Sequence, residues 1–289
     1  MEAGNETLRD ALARNVRDAL TEDIGRGDWT AQLVPAGRRV RGRVVAREAA
    51  VICGRPWFDA VVLALDPTAA IAWAATEGAA VAPGAEVCRI DADARALLSA
   101  ERPALNFLQT LSAVATLTRQ YVDAIAGASP NPRGCAVLDT RKTLPGLRQA
   151  QKYAVRIGGG RNQRMALWDG ILIKENHIAA AGGIAQALQA ARSLDAGVSV
   201  QIEVESLDEL EQALAAGAEN VLIDDFSLDD MRRACAVNAG RAVLEVSGGV
   251  DLAQIRAIAA TGVDRISVGK LTKDVRAVDL SMRIDPWGA

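Results

Sequence analysis

The chain has 289 residues, of which 50% are hydrophobic and 24% charged, and its net charge is -3. This composition predicts a globular protein of one or two domains and argues against nucleic-acid binding, because slight acidity with 3% aromatic residues supplies neither a basic surface nor many stacking rings. No apolar run reaches the roughly 18 residues that cross a bilayer, and residues 1–10 are polar and acidic, so we expect a cytoplasmic protein without a membrane anchor.

The first hundred residues predict a mixed α/β domain in which no catalytic motif is visible. Apolar positions at helical spacing predict helices over residues 7–20 and 56–65. Over residues 39–48 apolar residues alternate with arginines, which is typical of a half-exposed strand. Further short strands are expected at residues 50–53, 70–75 and 86–90.

A long helix is expected over residues 101–125, with Pro103 in its first turn, and short strands then alternate with helices to the end of the chain. The expected strands are 136–138, 171–173, 199–203, 220–223, 242–246 and 263–268. Three of the following helices have N-cap signals, Ser206 with Glu209, Ser227 with Asp230, and Asp251 with Gln254. This alternation predicts a parallel sheet, most economically a (β/α) barrel.

The most unusual stretch, residues 138–177, is strongly basic. From residue 139 to 174 there are eight cations and two acids, about +6 in an otherwise slightly acidic chain. Arg141, Lys142 and Lys174 directly follow apolar runs of the kind that form buried parallel strands, so we expect them to meet an anionic ligand. The cations expected instead on a solvated helix face are Arg148, Lys152 and Arg156.

In a parallel barrel, the reacting groups lie where the strands end. At those points the chain carries Arg141 and Lys142, Lys174, Glu203, Asp224, Ser247-Gly248-Gly249, and Gly269-Lys270. Each has an ordinary alternative, because Glu203 or Asp224 could cap a helix or pair with a cation, and the glycines could only form turns. Together, cations, acids and two glycine loops predict a substrate with carboxylates or phosphates and a hard cation.

Several motifs resemble the quinolinate phosphoribosyltransferase family. The matching blocks are residues 101–102, 104–107, 139–148, 152–156, 172–177, 244–249 and 266–269. The sequences Thr-Arg-Lys-Thr, from Thr140, and Lys-Glu-Asn-His, from Lys174, are the most specific. The resemblance implies an open (β/α) barrel at residues 111–274. It also implies an N-terminal α/β sandwich at residues 1–110, to which the tail at residues 275–289 returns.

The resemblance implies that phosphoribosyl pyrophosphate and quinolinate react, with magnesium as cofactor, to give nicotinate mononucleotide, pyrophosphate and carbon dioxide in de novo NAD biosynthesis. It implies a homodimer whose neighbour lends Arg102 to the site, with a hexamer as an open alternative. The implied catalytic residues are Lys142, Lys174, Glu203 and Asp224, of which Glu203 and Asp224 are the metal ligands. The implied substrate contacts are Arg102, Thr140, Arg141, Lys142, Gln163, Arg164, Lys174, Glu203, Asp224, Ser247, Gly248, Gly249, Gly269 and Lys270.

The sequence departs from the family pattern at four positions. Gln163 stands where a histidine is usual, and it can donate a hydrogen bond but cannot carry charge. Asp225 replaces an asparagine, and Lys270 and Asp274 replace an alanine and a histidine near the phosphate loop. Lys270 could pair with Asp225. These departures bear on substrate choice and on pH dependence.

Two other classes of function stay open at this point. Lys174 could form a Schiff base in a barrel aldolase, because a lysine after an apolar strand suits that role and neighbouring cations favour a neutral amine. Alternatively, the chain could be a non-catalytic or altered-substrate homologue that binds a phosphoribosyl or pyridine carboxylate ligand, as Gln163 and Asp225 suggest. The retained acidic and basic residues at the strand ends argue against that second alternative.

Overall fold

The computed structural model describes residues 5–285, and these divide into two units. Unit 1 contains residues 5–117, 143–158 and 274–285, and unit 2 contains residues 118–142 and 159–273. Residues 143–158 were expected in the barrel but belong to unit 1, so the basic stretch is divided between the units.

Helices and strands follow one another in chain order. The first are α1 (Leu8–Ile24), a 3₁₀ turn (Ala31–Leu33), β1 (Arg39–Ala46), β2 (Ala50–Val51), α2 (Arg55–Leu65), β3 (Ala70–Trp73), β4 (Ala80–Val81), β5 (Glu86–Asp93) and α3 (Ala94–Ile125). Next come β6 (Ala136–Leu138), α4 (Arg148–Ile157), β7 (Gly170–Ile173), α5 (Glu175–Ala181), α6 (Ile184–Ser193), β8 (Ser199–Val204) and α7 (Leu207–Ala215). The last are β9 (Asn220–Asp224), α8 (Leu228–Asn238), β10 (Val243–Ser247), α9 (Ile255–Ala259), β11 (Arg265–Ser267), α10 (Lys270–Lys273) and β12 (Leu280–Ile284).

Unit 1 is built on an antiparallel sheet of four strands in the order β12-β1-β5-β3, with a separate pair β2-β4. Along β1 every second residue is buried and the arginines between them are exposed, so the half-exposed strand is confirmed. Gly42 of β1 lies close to Leu97 of α3, since an added Cβ would come within 3.0 Å of that side chain. β12 pairs with β1, which joins the end of the described chain to this sheet.

The long helix α3 begins earlier than predicted. Its first residue is Ala94, and the Asp93 carboxylate caps it by accepting hydrogen bonds from the backbone N–H groups of Arg95 (2.9 Å) and Ala96 (3.1 Å). Pro103 therefore lies inside the helix, and its predicted place in the first turn is wrong. Asp93 is both the last residue of β5 and the capping residue of α3, so no loop residues separate the two elements.

Helix α4 buries more of its surface than its charges suggested. Arg156 is exposed as expected, but the side chain of Lys152 is fully buried, so the solvated-face prediction is wrong for this residue. On one side, Tyr153 donates a hydrogen bond to the Glu77 carboxylate at 3.0 Å. Just before the helix, the Gly146 carbonyl accepts from the side chain of Asn15 on α1. A helix packed on two sides buries positions that a single apolar stripe would leave in water.

Unit 2 contains six parallel strands in the order β6-β11-β10-β9-β8-β7. Strands β7 to β11 pair in chain order and β6 pairs with β11, which is the order of a barrel. Within residues 5–285 no ladder joins β6 to β7, and Leu138 of β6 instead forms an isolated parallel bridge with Arg161, which precedes β7. The predicted open (β/α) barrel is confirmed. In the same residues no helix is long and apolar enough to span a bilayer.

The predicted helix caps are present in unit 2. The Ser206 hydroxyl accepts from the Glu209 N–H at 3.2 Å, and the Ser227 hydroxyl accepts from the Asp230 N–H at 3.1 Å. Asp251 accepts from the Gln254 N–H at 3.0 Å, although regular helix begins only at Ile255. These short polar turns lead each chain segment from the carboxyl end of a strand into the next helix.

Candidate active site

The barrel interior is polar, and the two-residue period of the strands explains which side chains reach it. Residues two apart on a strand share a face. The residues placed inside in this way are Gln201 and Glu203 on β8, Leu222 on β9, Glu245 and Ser247 on β10, and Arg265 and Ser267 on β11. Asp224, the last residue of β9, shares the strand face of Leu222 but is not among the residues that line the cavity at the strand ends. The alternate positions, such as Ile202, Val221 and Val246, are buried and apolar.

A cavity of about 340 Å³ opens at the carboxyl ends of the strands. Eight predicted site residues line it: Thr140, Arg141, Lys142, Gln163, Arg164, Lys174, Glu203 and Ser247. Four further lining residues were not predicted: Leu172, Leu222, Glu245 and Ser267. Each of the four lies on the same strand face as a predicted residue or strand end, so the strand period was the signal that could have identified them.

Lys174 and Glu203 form a close ion pair in this cavity. The Lys174 ammonium lies 2.8 and 2.7 Å from the two Glu203 oxygens, and Glu203 is only 8% exposed. The backbone N–H of Lys174 donates to Nδ1 of His177 at 3.0 Å, which fixes the start of α5. Lys174 is therefore held from both its backbone and its side chain, and the chain's single histidine orients the segment that carries it.

Arg141 and Arg164 are two guanidinium groups in one partly buried environment. Burial lowers the pKa of Arg164, and the neighbouring charge of Arg141 lowers it further. One Arg164 nitrogen donates to the Gly170 carbonyl at 2.8 Å, which holds the side chain in place. Like charges close together favour an anionic ligand, because the ligand relieves their repulsion. The pair therefore suits a carboxylate or a phosphate.

Lys142 extends toward the loop after β11. Its backbone N–H donates to the Thr140 hydroxyl at 3.0 Å, and its carbonyl accepts from the Thr272 hydroxyl at 2.7 Å. A Cβ added to Gly269 would lie 3.2 Å from Cδ of Lys142. The absence of a side chain at Gly269 therefore leaves room for the lysine, which lies beside the last barrel loop.

Asp224 and the glycine loop after β10 approach each other closely. A Cβ added to Gly248 would lie 3.0 Å from the backbone nitrogen of Asp225 and 3.4 Å from an oxygen of Asp224, and the Gly248 φ is +98°. In the described part of the chain, no protein group donates to the Asp224 carboxylate and no ion pair joins Lys270 to Asp225. The predicted Lys270–Asp225 pair is wrong, whereas Asp224 is available to a ligand.

Whether a magnesium ion fits this site depends on whether the candidate carboxylates already bind other protein groups. Among residues 5–285, no group of three His, Cys, Asp or Glu side chains could hold a metal by itself. Magnesium often takes only one or two protein carboxylates and completes its sphere with water and substrate phosphates. Asp224 fits that role, whereas both oxygens of Glu203 contact Lys174. The assignment of Glu203 as a second metal ligand stays a prediction.

Arg102 lies on α3 in unit 1. Its side chain is exposed, with its guanidinium 3.8 Å from the Glu101 carboxylate, and it is not among the residues that line the cavity. Its predicted contribution from a neighbouring subunit stays a prediction.

A chain of buried polar side chains crosses the barrel behind the cavity. Glu245 accepts hydrogen bonds from the Ser267 hydroxyl and, at 3.0 Å, from the side-chain amide of Gln201. Gln201 in turn accepts from the Gln163 amide at 2.8 Å. The backbone N–H of Gln163 donates to Asp139, which is fully buried. Gln163 is thus fixed through both its backbone and its side chain.

Glu245→Gln is expected to stabilise the protein increasingly as the pH rises. Burial raises the pKa of Glu245 above its ordinary value of 4.5, so the folded state holds the proton more tightly than the unfolded state. The carboxyl group's contribution to stability is therefore complete below pH 4.5 and is lost as the pH rises through the folded pKa. Glutamine has no proton to lose, so its Tm advantage should grow as the pH rises above 4.5.

Differential scanning calorimetry across this pH range measures the effect. Glu211→Gln, at an exposed position on α7, is the matched control and should show a Tm difference that does not change with pH. A pH-independent difference for Glu245→Gln would contradict the assignment.

Comparisons with known proteins agree on one family. Models of the N-terminal and C-terminal domains of quinolinate phosphoribosyl transferase match residues 28–112 and 114–283. The chain is 41% identical over 283 residues to a nicotinate-nucleotide pyrophosphorylase (carboxylating) of Mycobacterium leprae, covering 94% of this chain and 97% of the relative. It is 37% identical over 265 residues to a probable enzyme of the same name from Bacillus subtilis, covering 91% and 90%. A solved nicotinate-nucleotide pyrophosphorylase of Francisella tularensis is similar with a TM-score of 0.91 and 43% identity, covering 98% of this chain and 100% of that one.

Proposed function

The chain belongs to the quinolinate phosphoribosyltransferase family, and we propose that it transfers phosphoribosyl from phosphoribosyl pyrophosphate to quinolinate with loss of carbon dioxide. The products are nicotinate mononucleotide and pyrophosphate, as in de novo NAD biosynthesis. One observation carries the proposal: Arg141, Arg164 and Lys174 line a single cavity at the carboxyl end of the barrel. Three cations in one partly desolvated site suit a ligand with two adjacent carboxylates.

The acceptor half of the site holds the pyridine ring. The guanidinium groups of Arg141 and Arg164 can each meet a carboxylate with paired hydrogen bonds, and Lys174, fixed by Glu203, adds a third cation. This orients the ring nitrogen toward the ribose, where a nitrogen–carbon bond forms as the bond to pyrophosphate breaks. When carbon dioxide leaves, its bonding electron pair stays on the ring carbon until a proton arrives, and the same cations stabilise that charge.

The donor half lies toward Asp224, Lys142 and the two glycine loops. Magnesium, when bound with the donor, neutralises charge on the pyrophosphate. Asp224 would hold that ion and would also face the positive charge that develops on the ribose as pyrophosphate leaves. Lys142, beside Gly269, can reach between the two substrates. Backbone N–H groups of the loops after β10 and β11 would bind a phosphate, since such loops at the last barrel strands commonly do so.

Gly248→Ala is expected to weaken binding of the donor. The new Cβ would lie 3.0 Å from the Asp225 backbone, in a backbone conformation that L-residues rarely adopt, so the loop must move away from Asp224. We expect KM for phosphoribosyl pyrophosphate to rise about tenfold or more. Gly249→Ala is the matched control, because its Cβ would meet no atom within 4 Å, and it should have a smaller effect. Equal KM values for the two variants would contradict the proposed phosphate loop.

The ion pair at Lys174 argues against the Schiff-base alternative. Both oxygens of the buried Glu203 carboxylate lie within 2.8 Å of the Lys174 side-chain nitrogen, so this nitrogen is engaged in an ion pair. A nitrogen held in this way suits charge recognition better than attack on a carbonyl.

We propose that the functional unit is a homodimer in which Arg102 reaches the neighbour's site. Its support is the family resemblance together with the exposed position of Arg102 on α3, outside the barrel strands. The larger hexamer stays an alternative. The cytoplasmic location expected from the sequence is part of the same proposal.

Mixing an Arg102→Ala chain with an Asp224→Asn chain tests the contribution in trans. If subunits exchange freely, half of the dimers are hybrids with one intact site each, so about a quarter of wild-type activity should return. Each variant alone is the control and should stay inactive. An arginine that acts within its own chain would give no recovery in well-exchanged mixtures.

Incubation of the purified chain with quinolinate, phosphoribosyl pyrophosphate and magnesium tests the reaction itself. We expect nicotinate mononucleotide, pyrophosphate and carbon dioxide in equal amounts, and none when either substrate is omitted. Binding of both substrates without turnover would instead identify a non-catalytic homologue.

A further inference from the structure

The side chains behind the cavity form a hydrogen-bonded chain with a defined direction. Glu245 is 1% exposed and Gln201 is 7% exposed, so neither side chain exchanges its protein partners for bulk water. Gln201 bridges two residues, because its nitrogen donates to Glu245 at 3.0 Å and its oxygen accepts from Gln163 at 2.8 Å. Of these three residues, Gln163 and Glu245 also line the substrate cavity, whereas Gln201 does not.

The Glu245 carboxylate, at one end of this series of hydrogen bonds, sets the direction of all of them. The Gln201 amide turns its nitrogen toward Glu245 and its oxygen toward Gln163, which is the orientation that an ionised carboxylate requires, because its oxygens can only accept. The Gln201 oxygen can only accept as well, so Gln163 must turn its own nitrogen toward Gln201. The opposite orientation of either amide would bring two donors or two acceptors together in a buried site, which costs the desolvation of both groups.

From these hydrogen bonds we propose that Gln201 is a positioning residue for recognition of the pyridine dicarboxylate. Through its contacts with Glu245 and Gln163, it holds the Gln163 amide in one orientation beside Arg164 in the substrate cavity. The inference rests on the proposed function, and it names a residue that is not among those lining the substrate cavity. Loss of Gln201 should therefore affect the acceptor substrate and not the donor.

A double-mutant cycle measures whether Gln201 acts through Gln163. We expect Gln201→Met to raise KM for quinolinate about tenfold, because the Gln163 amide loses its hydrogen bond to Gln201, with kcat and the KM for phosphoribosyl pyrophosphate within about threefold of wild type. Gln163→Met should raise the same KM to a similar extent. The variant with both changes should be no worse than Gln163→Met alone, since the positioning residue has nothing left to position.

Two further variants keep the test decisive. If Gln201→Met does not fold, Gln201→Asn keeps the polarity but is one methylene too short to reach both partners, and it should raise KM for quinolinate in the same selective way. Gln212→Met, on the exposed face of α7, is the matched control and should leave all three constants unchanged.

The outcomes separate the inference from the proposed function. If the wild-type chain makes no product, the proposed function is wrong. If the wild type is active but the Gln201 and Gln163 effects multiply, or fall equally on both substrates, the positioning role is wrong and the proposed function stands.

Discussion

Asp224→Asn should lower kcat by about 100-fold or more, while quinolinate binding stays within a few-fold of wild type. Asparagine has the same shape and keeps the packing next to Gly248, but it lacks the negative charge. That charge is what a magnesium-bound donor and a developing ribosyl cation require. Because the Asp224 carboxylate accepts no hydrogen bond from the described part of the protein, its loss should cost little stability.

The neighbouring residue provides a matched control for this prediction. Asp225 is exposed and has a φ of +57°, a conformation that asparagine also adopts readily. Asp225→Asn should therefore keep most of the activity. Steady-state kinetics with magnesium titration compares the two variants, and unchanged activity and magnesium dependence in Asp224→Asn would refute the assignment of Asp224.

Lys174→Met is expected to remove both activity and stability. Methionine keeps the apolar part of the side chain but leaves the buried Glu203 carboxylate without its partner. Breaking a buried ion pair on one side costs about 3–5 kcal/mol, and since Lys174 itself is 44% exposed, we expect about 2–3 kcal/mol. Turnover should fall by at least about 100-fold, because the acceptor site loses one of its three cations.

A second change separates the two effects of this substitution. Adding Glu203→Gln to Lys174→Met removes the unpaired charge, so the free energy of unfolding should recover while activity stays lost. Urea denaturation and kinetics measure the two quantities on the same samples. Recovery of activity in the double variant would show that Lys174 serves only to neutralise Glu203.

The barrel could be predicted from the sequence because its strands and caps repeat. Each strand is a short apolar run, and caps such as Ser206 and Ser227 mark where the next helix begins. The start of α3 could not be predicted in the same way, because Asp93 is both the last residue of β5 and the cap of the helix. Burial of Lys152 was missed because it depends on packing against two sides of α4, which the spacing of charges along one helix does not report.

The sequence predicts which residues form the site better than it predicts which residues pair with one another there. Cations and acids at strand ends mark the cavity, because all parallel strands end at the same edge. The Lys174–Glu203 pair joins the residue that follows β7 to a residue of β8, and only the register of β7 and β8 brings them together. The Gln163–Gln201–Glu245 chain was not foreseen, since neutral amides in a sequence carry no sign of the partner that fixes their direction.

We propose that the cluster of cations in the cavity selects a pyridine with two adjacent carboxylates. Nicotinate lacks one of these carboxylates, so it would leave Arg141 or Arg164 without its anion in a partly desolvated site. That mismatch should cost about 2–5 kcal/mol, or roughly 30-fold or more in affinity. The most direct measurement is kcat/KM for quinolinate against nicotinate under identical conditions with saturating donor. We predict a preference of at least about 30-fold for quinolinate, which Arg141→Ala should largely abolish, and equal use of nicotinate would contradict selection by the cation cluster.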